Sequence, residues 1–107
     1  MVDYKITQND RYPALVGFCT DENGAAVDLT DATVEFHMKA RGSDVLKVDE
    51  SASVLDATAG KVAYQWRVGD TDTAGVFLAE FEVTYSDGFP ETFPSEPLEI
   101  FIRPELG

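Results

Sequence analysis

Cysteine and histidine are almost missing from this chain: its 107 residues hold one of each, Cys19 and His37. A lone cysteine excludes an internal disulfide, and one histidine leaves little for a Cys/His zinc cluster or a Cys/His catalytic pair. Basic residues are scarce too. Twenty acidic side chains face eight basic ones, a formal charge of −12 that falls on no single tail. That field repels nucleic acid and anionic membranes, so neither is an expected partner. No Gly-x-Gly occurs, which removes the glycine-rich phosphate cradles. The longest apolar run, Ala14 to Cys19, is far short of the roughly 20 residues that a membrane-crossing helix needs. The N-terminus has neither a basic n-region nor an apolar h-region, so a soluble chain without a secretory signal is expected. No segment of helical length shows helical periodicity.

What remains is strand rhythm. Apolar residues make up 44% of the chain and aromatics 11%, enough for a folded core. In the clearest segment, Phe77, Ala79, Phe81, Val83 and Tyr85 share one face, with Leu78, Glu80, Glu82 and Thr84 on the other. It stops at Ser86-Asp87-Gly88, whose Asp-Gly pair suits a tight hairpin, and Phe89 to Phe93 return antiparallel. Val34, Phe36 and Met38 alternate with Glu35, His37 and Lys39. Val62, Tyr64, Trp66 and Val68 alternate with Lys61, Gln65 and Arg67. Leu15 to Thr20 reads as an apolar strand turning through Asn23-Gly24 into Ala25 to Leu29. Val45 to Val48 and Ser53 to Leu55 are two short pieces, and Leu98 to Ile102 is a last strand preceded by Pro94 and Pro97. The expectation is all-β: an Ig-like antiparallel β-sandwich of seven or eight strands. It forms one domain over residues 1–107, with 1–9 and 103–107 as terminal segments, around a core of Phe18, Phe36, Trp66, Phe77, Phe81 and Ile100.

Chemistry-bearing patterns are few. Asp21, Asn23 and Asp28 in one loop, and Asp70 and Asp72 in another, are the oxygen-rich candidates for calcium. Neither loop follows an EF-hand pattern, and Asp, Asn and Gly belong in β-turns on conformational grounds, so no metal or other cofactor is expected. Glu80/Glu82 and Asp70/Asp72 are the pairs that an acid-rich wet face and loop produce by chance. His37 lies on a polar strand face and reads as a solvated histidine. Cys19 shares the inward parity of Leu15 and Gly17 and reads as a small buried hydrophobe rather than a nucleophile, which would want electropositive neighbours. No enzymatic constellation emerges. Tyr4, Tyr12, Phe89, Phe93 and Phe101 are aromatics on which a sugar could stack. Phe101 interrupts the polar face of its strand, which suggests either burial against another chain or a central strand covered on both sides. Phe89, Phe93 and Phe101 are therefore the interface candidates.

The run Gly69 to Gly88 joins an acidic turn ending in Ala74-Gly75, an amphipathic strand and an Asp-Gly turn, and Glu91-Thr92-Phe93-Pro94 follows it. With Asn23-Gly24 and Asp28-Leu29-Thr30-Asp31 earlier, the pattern resembles the Ig-like N-terminal domain of tailed-phage baseplate upper proteins, over roughly Asp10 to Ile102. Against the broader Ig signature, Phe77 stands in place of the corner tyrosine and Ala79 in place of the cysteine, so a cell-surface type of Ig domain is not implied. The resemblance implies a structural component of a tailed-phage virion, in the tail, baseplate or attached to the capsid, acting by protein–protein association. A carbohydrate-binding or host-adhesion module is the alternative. Family members usually carry this domain ahead of a longer fibre or receptor-binding region, so a sequence ending at Gly107 is expected either to lack that region or to be a fragment. The implied partners are other virion proteins, with further copies of this chain as candidates. An acidic coat on turns and outward strand positions predicts basic patches on those partners.

Overall fold

The computed structural model describes residues 2–107. Seven strands and no helix are present among them: β1 (Tyr4–Thr7), β2 (Leu15–Phe18), β3 (Thr33–Ala40), β4 (Leu46–Asp56), β5 (Lys61–Tyr64), β6 (Gly75–Thr84) and β7 (Pro90–Arg103). They hydrogen-bond in the order β1-β7-β6-β3-β4-β5-β2. β4 makes this ribbon two-layered. Its first part, from Leu46 to Ala52, pairs with β3, while Ser53, Val54 and Asp56 pair with β5. A five-stranded layer (β1, β7, β6, β3, β4) thus continues into a three-stranded one (β4, β5, β2), and the two close like a sandwich over a shared core.

Alternation explains the core. β6 buries Phe77, Ala79, Phe81 and Val83 and β3 buries Val34, Phe36 and Met38, as their period-two patterns predict. Phe36 of β3 stacks on Tyr64 of β5 at 4.4 Å between ring centroids, meets Trp66 edge-on at 5.7 Å and touches Phe81 at 5.3 Å. Trp66 is buried, and its indole N–H donates to the Tyr4 hydroxyl at 3.3 Å, which in turn donates to the Pro13 carbonyl at 2.6 Å. Tyr64 donates to Asp70 Oδ2 at 2.6 Å, and the Arg67 amide donates to the same oxygen. Burial first, and the Asp70 hydrogen bond second, push the Tyr64 phenol well above its usual range. A hydroxyl–carboxylate pin therefore fastens the loop after β5.

Several expectations change. β1 pairs with β7 in parallel, Tyr4 opposite Ile100, so the sheet is not wholly antiparallel and the N-terminal segment contributes a strand. Nearly the whole chain separates β1 from β7, so no tight hairpin forces them to run antiparallel. β7 is one strand where two pieces were expected. Phe81 faces Phe93 and Ala79 faces Leu98, so Pro94 to Pro97 bulge out opposite Glu80. β4 likewise joins two pieces into one. Ala25 to Leu29 makes only a single bridge, Thr20 with Ala26, although Leu29 is buried. Val68 is exposed because β5 ends at Tyr64.

Phe18, expected in the core, is 61% exposed. Gly17 is the inward residue of that pair: a Cβ there would lie 2.9 Å from Phe81 Cε2, so glycine lets β2 lie directly on the Phe81 ring.

Candidate functional site

β2 pairs only with β5, and its other edge is open among the described residues. Leu15 points inward, while Val16 and Phe18 stand outward and exposed. Beyond β2 the chain turns at Asp21 to Gly24, and across from it β7 begins at Pro90 and reaches its proline bulge. Between the two runs a groove of about 600 Å³. Phe18, Phe93 and Pro94 supply its apolar wall; Asp21, Glu22 and Glu91 are its charged residues, and no basic side chain lines it. A smaller apolar notch beside it reaches Gly17, Phe81 and Leu98.

The local sequence holds these groups in place. Asp21 Oδ1 accepts the Asn23 and Ala25 amides at 2.8 and 3.0 Å, the Asx-type turn expected of Asp in this position. Tyr85 donates to Glu91 Oε1 at 2.7 Å. Burial, followed by that hydrogen bond, pushes the Tyr85 phenol up to about 12. The acidic field reaches the core side as well: burial, reinforced by Glu91, pushes the Cys19 thiol up to about 11. Cys19 is thus a neutral buried side chain near neutral pH, in keeping with its reading as a small hydrophobe.

The interface candidates fall in three different places. Phe89 is 70% exposed at the β6–β7 hairpin tip. Phe101 is half-buried and lies between Lys5 of β1 and Val76 of β6, because β7 is flanked on both edges. Phe93 is buried against Phe81, so it belongs to the core and offers the groove only part of its wall. The fold does not bring the three together. Phe18, absent from that set, is the exposed aromatic beside the groove. The parity of β2 was the signal that could have found it.

The calcium candidates are dispersed as well. Asp28 Oδ1 accepts from the Thr30 amide and hydroxyl at 2.9 and 2.6 Å, which holds its carboxyl below the usual range. Asp70 is taken up by the Tyr64 pin. Asp72 Oδ1 accepts from Lys47 Nζ at 2.7 Å and from Thr73, and these hydrogen bonds lower its carboxyl too. Each of these carboxylates serves a turn or an ion pair. The ring contacts join Tyr4, Phe36, Tyr64, Trp66 and Phe81, and none of the exposed rings Tyr12, Phe18 or Phe89.

His37 differs most from its reading. Its side chain is 17% exposed and three carboxylates surround it: Asp49 at 3.2 Å and Glu35 at 3.5 Å from Nε2, and Glu80 at 3.5 Å from Nδ1. Glu35 was visible two residues away in sequence. Asp49 and Glu80 arrive only through the registers of β4 and β6 against β3.

Comparison with known proteins places the chain. The family model described as the BppU N-terminal domain matches residues 2–106. The chain belongs to that family. The BppU N-terminal domain is a structural domain of the phage baseplate, so the resemblance read from the Gly69 to Gly88 run extends over nearly the whole sequence. No curated protein matches the chain. Among solved structures, the crystal structure of CopC from Methylosinus trichosporium OB3b is similar with a TM-score of 0.56 at 12% identity, covering 100% of this chain and 89% of that one. At that identity the likeness is one of fold.

Proposed function

We propose that this chain is an association module of the phage baseplate. It takes part in particle assembly by seating a basic, partly apolar segment of another virion protein in the groove between Phe18 and Pro94. The observation that carries this reading is the composition of the groove, an apolar wall with Asp21, Glu22 and Glu91 and no lysine or arginine. Exposed Phe18 supplies an aromatic anchor of the kind that dominates binding energies, and the carboxylates select a cationic rim on the partner. The open edge of β2 can add a partner strand by main-chain hydrogen bonds. A charge of −12 on every copy disfavours close self-packing of these acidic faces, so different virion proteins are the favoured occupants. The mechanism is association without turnover. The carbohydrate reading is not favoured, since the exposed rings form no stacked pair among the described residues.

The test uses isolated baseplates that lack the chain. Phe18→Glu is expected to weaken rebinding by about 30-fold or more, as loss of an anchor of roughly 2 kcal/mol would. Glu22→Lys combined with Glu91→Lys is expected to slow association and to flatten its salt dependence. Wild-type binding by both variants would refute the groove as the docking surface.

A further inference from the structure

The five-stranded layer has an outer face, and on it β3, β4 and β6 bring one imidazole and three carboxylates to a single point. Cross-strand register does this: His37 lies opposite Asp49 on one side and opposite Glu80 on the other, and Glu35 precedes it by two residues on the same face. Glu82, opposite Glu35, adds a further acid to that face. Of the nearby cations, Arg41 pairs with Glu99, Lys47 with Asp72 and Arg67 with Glu50, while Lys39, two residues from His37, lines the depression beside the ring.

The two distances from His37 Nε2 match the edges of a coordination polyhedron. Ligand atoms about 2.0–2.2 Å from a tetrahedral metal lie roughly 3.3–3.5 Å from one another. His37 Nε2 is 3.2 Å from Asp49 Oδ1 and 3.5 Å from Glu35 Oε2, and the donor atoms of all three residues lie within 4.8 Å of one another. The other ring nitrogen is engaged separately, with Nδ1 3.5 Å from Glu80 Oε2. A carboxylate accepting from one imidazole nitrogen fixes the tautomer that leaves the other nitrogen's lone pair free for a metal. A depression of about 400 Å³ bounded by His37, Leu78, Glu80 and Pro97 opens beside the ring where the proline bulge of β7 departs from β6.

We propose that Glu35, His37 and Asp49 form a binding site for a transition-metal dication of the zinc class, with Glu80 as the positioning residue for the imidazole. One nitrogen and two carboxylate donors suit zinc or its neighbours better than calcium or magnesium, which take oxygen ligands alone. Three protein ligands leave further coordination positions to water. The sheet registers fix the backbone positions of the three donors, and the Glu35 and Asp49 side chains are exposed to an arriving ion.

Thermal melting of the tag-free chain against zinc, cobalt, calcium and magnesium tests this. Zinc and cobalt are expected to raise the midpoint, increasingly with the logarithm of their concentration, and calcium and magnesium are not. Bound cobalt should show the visible d–d absorption of a low-coordinate site. His37→Gln and Glu35→Gln should abolish both signals, while Glu80→Gln should weaken zinc binding by about 10–100-fold. The metal-free melt of each variant reports its folding, and Asp49→Asn replaces any variant that fails to fold. The proposal is overturned by a wild-type chain indifferent to zinc, by a zinc effect that survives in the variants, or by an equal response to calcium.

Discussion

Phe36→Ala is expected to remove about 3–5 kcal/mol of stability, the range for deleting a fully buried aromatic. No part of Phe36 is exposed, and its ring contacts Tyr64 and Trp66 of the β5 region and Phe81 of the same layer. Removing it opens a cavity at the point where the two layers meet, and the walls cannot collapse because each neighbour is held by something else. Tyr64 is hydrogen-bonded to Asp70, Trp66 to Tyr4, and Phe81 lies against the Gly17 backbone. For a chain whose total stability is of the order of 5–15 kcal/mol, such a loss is a large fraction. Urea unfolding should show a lower midpoint at an unchanged slope. Phe89→Ala, at an exposed hairpin tip, should stay within about 0.5 kcal/mol of the parent. A loss below 1 kcal/mol at Phe36 would mean that the layers are not joined through this ring.

Gly60→Ala is expected to cost roughly 2–4 kcal/mol, a large effect for the addition of one methyl group. Two independent reasons add. Gly60 has φ of +66°, where any side chain meets its own backbone, and an added Cβ would stand 2.4 Å from the Cys19 carbonyl oxygen and 3.0 Å from that of Val27. Those are backbone atoms, and they do not swing away. The same contact is structural: the Cys19 amide donates to the Gly60 carbonyl at 2.7 Å and the Val27 amide to the Cys19 carbonyl at 2.9 Å. Gly60 is where the β4–β5 turn meets the end of β2, so the substitution should also loosen β2 and the groove beside it. Hydrogen exchange at Gly17 to Cys19 should accelerate in the variant. Near-parental stability would show that the turn can relax away from Cys19.

Much of the fold was legible because its layers are amphipathic. β3 and β6 keep period two without a break, and the Asp87-Gly88 turn between β6 and β7 is a local signal. Legibility failed where tertiary packing overrode composition. Phe18 is large and apolar, yet the inward parity of β2 belongs to Leu15, Gly17 and Cys19, and only contact with Phe81 shows why a glycine is needed there. Pro94 and Pro97 read as a strand boundary, but a bulge carries the strand past them. The His37 cluster was hidden for another reason. Its members lie on three strands, and register, which decides whether Glu80 and Asp49 meet the imidazole, has no local signature in the sequence. The groove was half visible: the turn acids could be named, but their position opposite the start of β7 could not.

We propose that this BppU N-terminal domain is seated in the baseplate through the face bearing Phe18, Glu22 and Glu91. Cryo-electron microscopy of purified virions decides the matter. Symmetric copies of the chain are expected in the baseplate, each with the groove between β2 and β7 filled by a neighbouring protein that presents lysine or arginine to Glu22 and Glu91. Absence of the chain from the particle, or copies whose grooves all face open solvent, would contradict it.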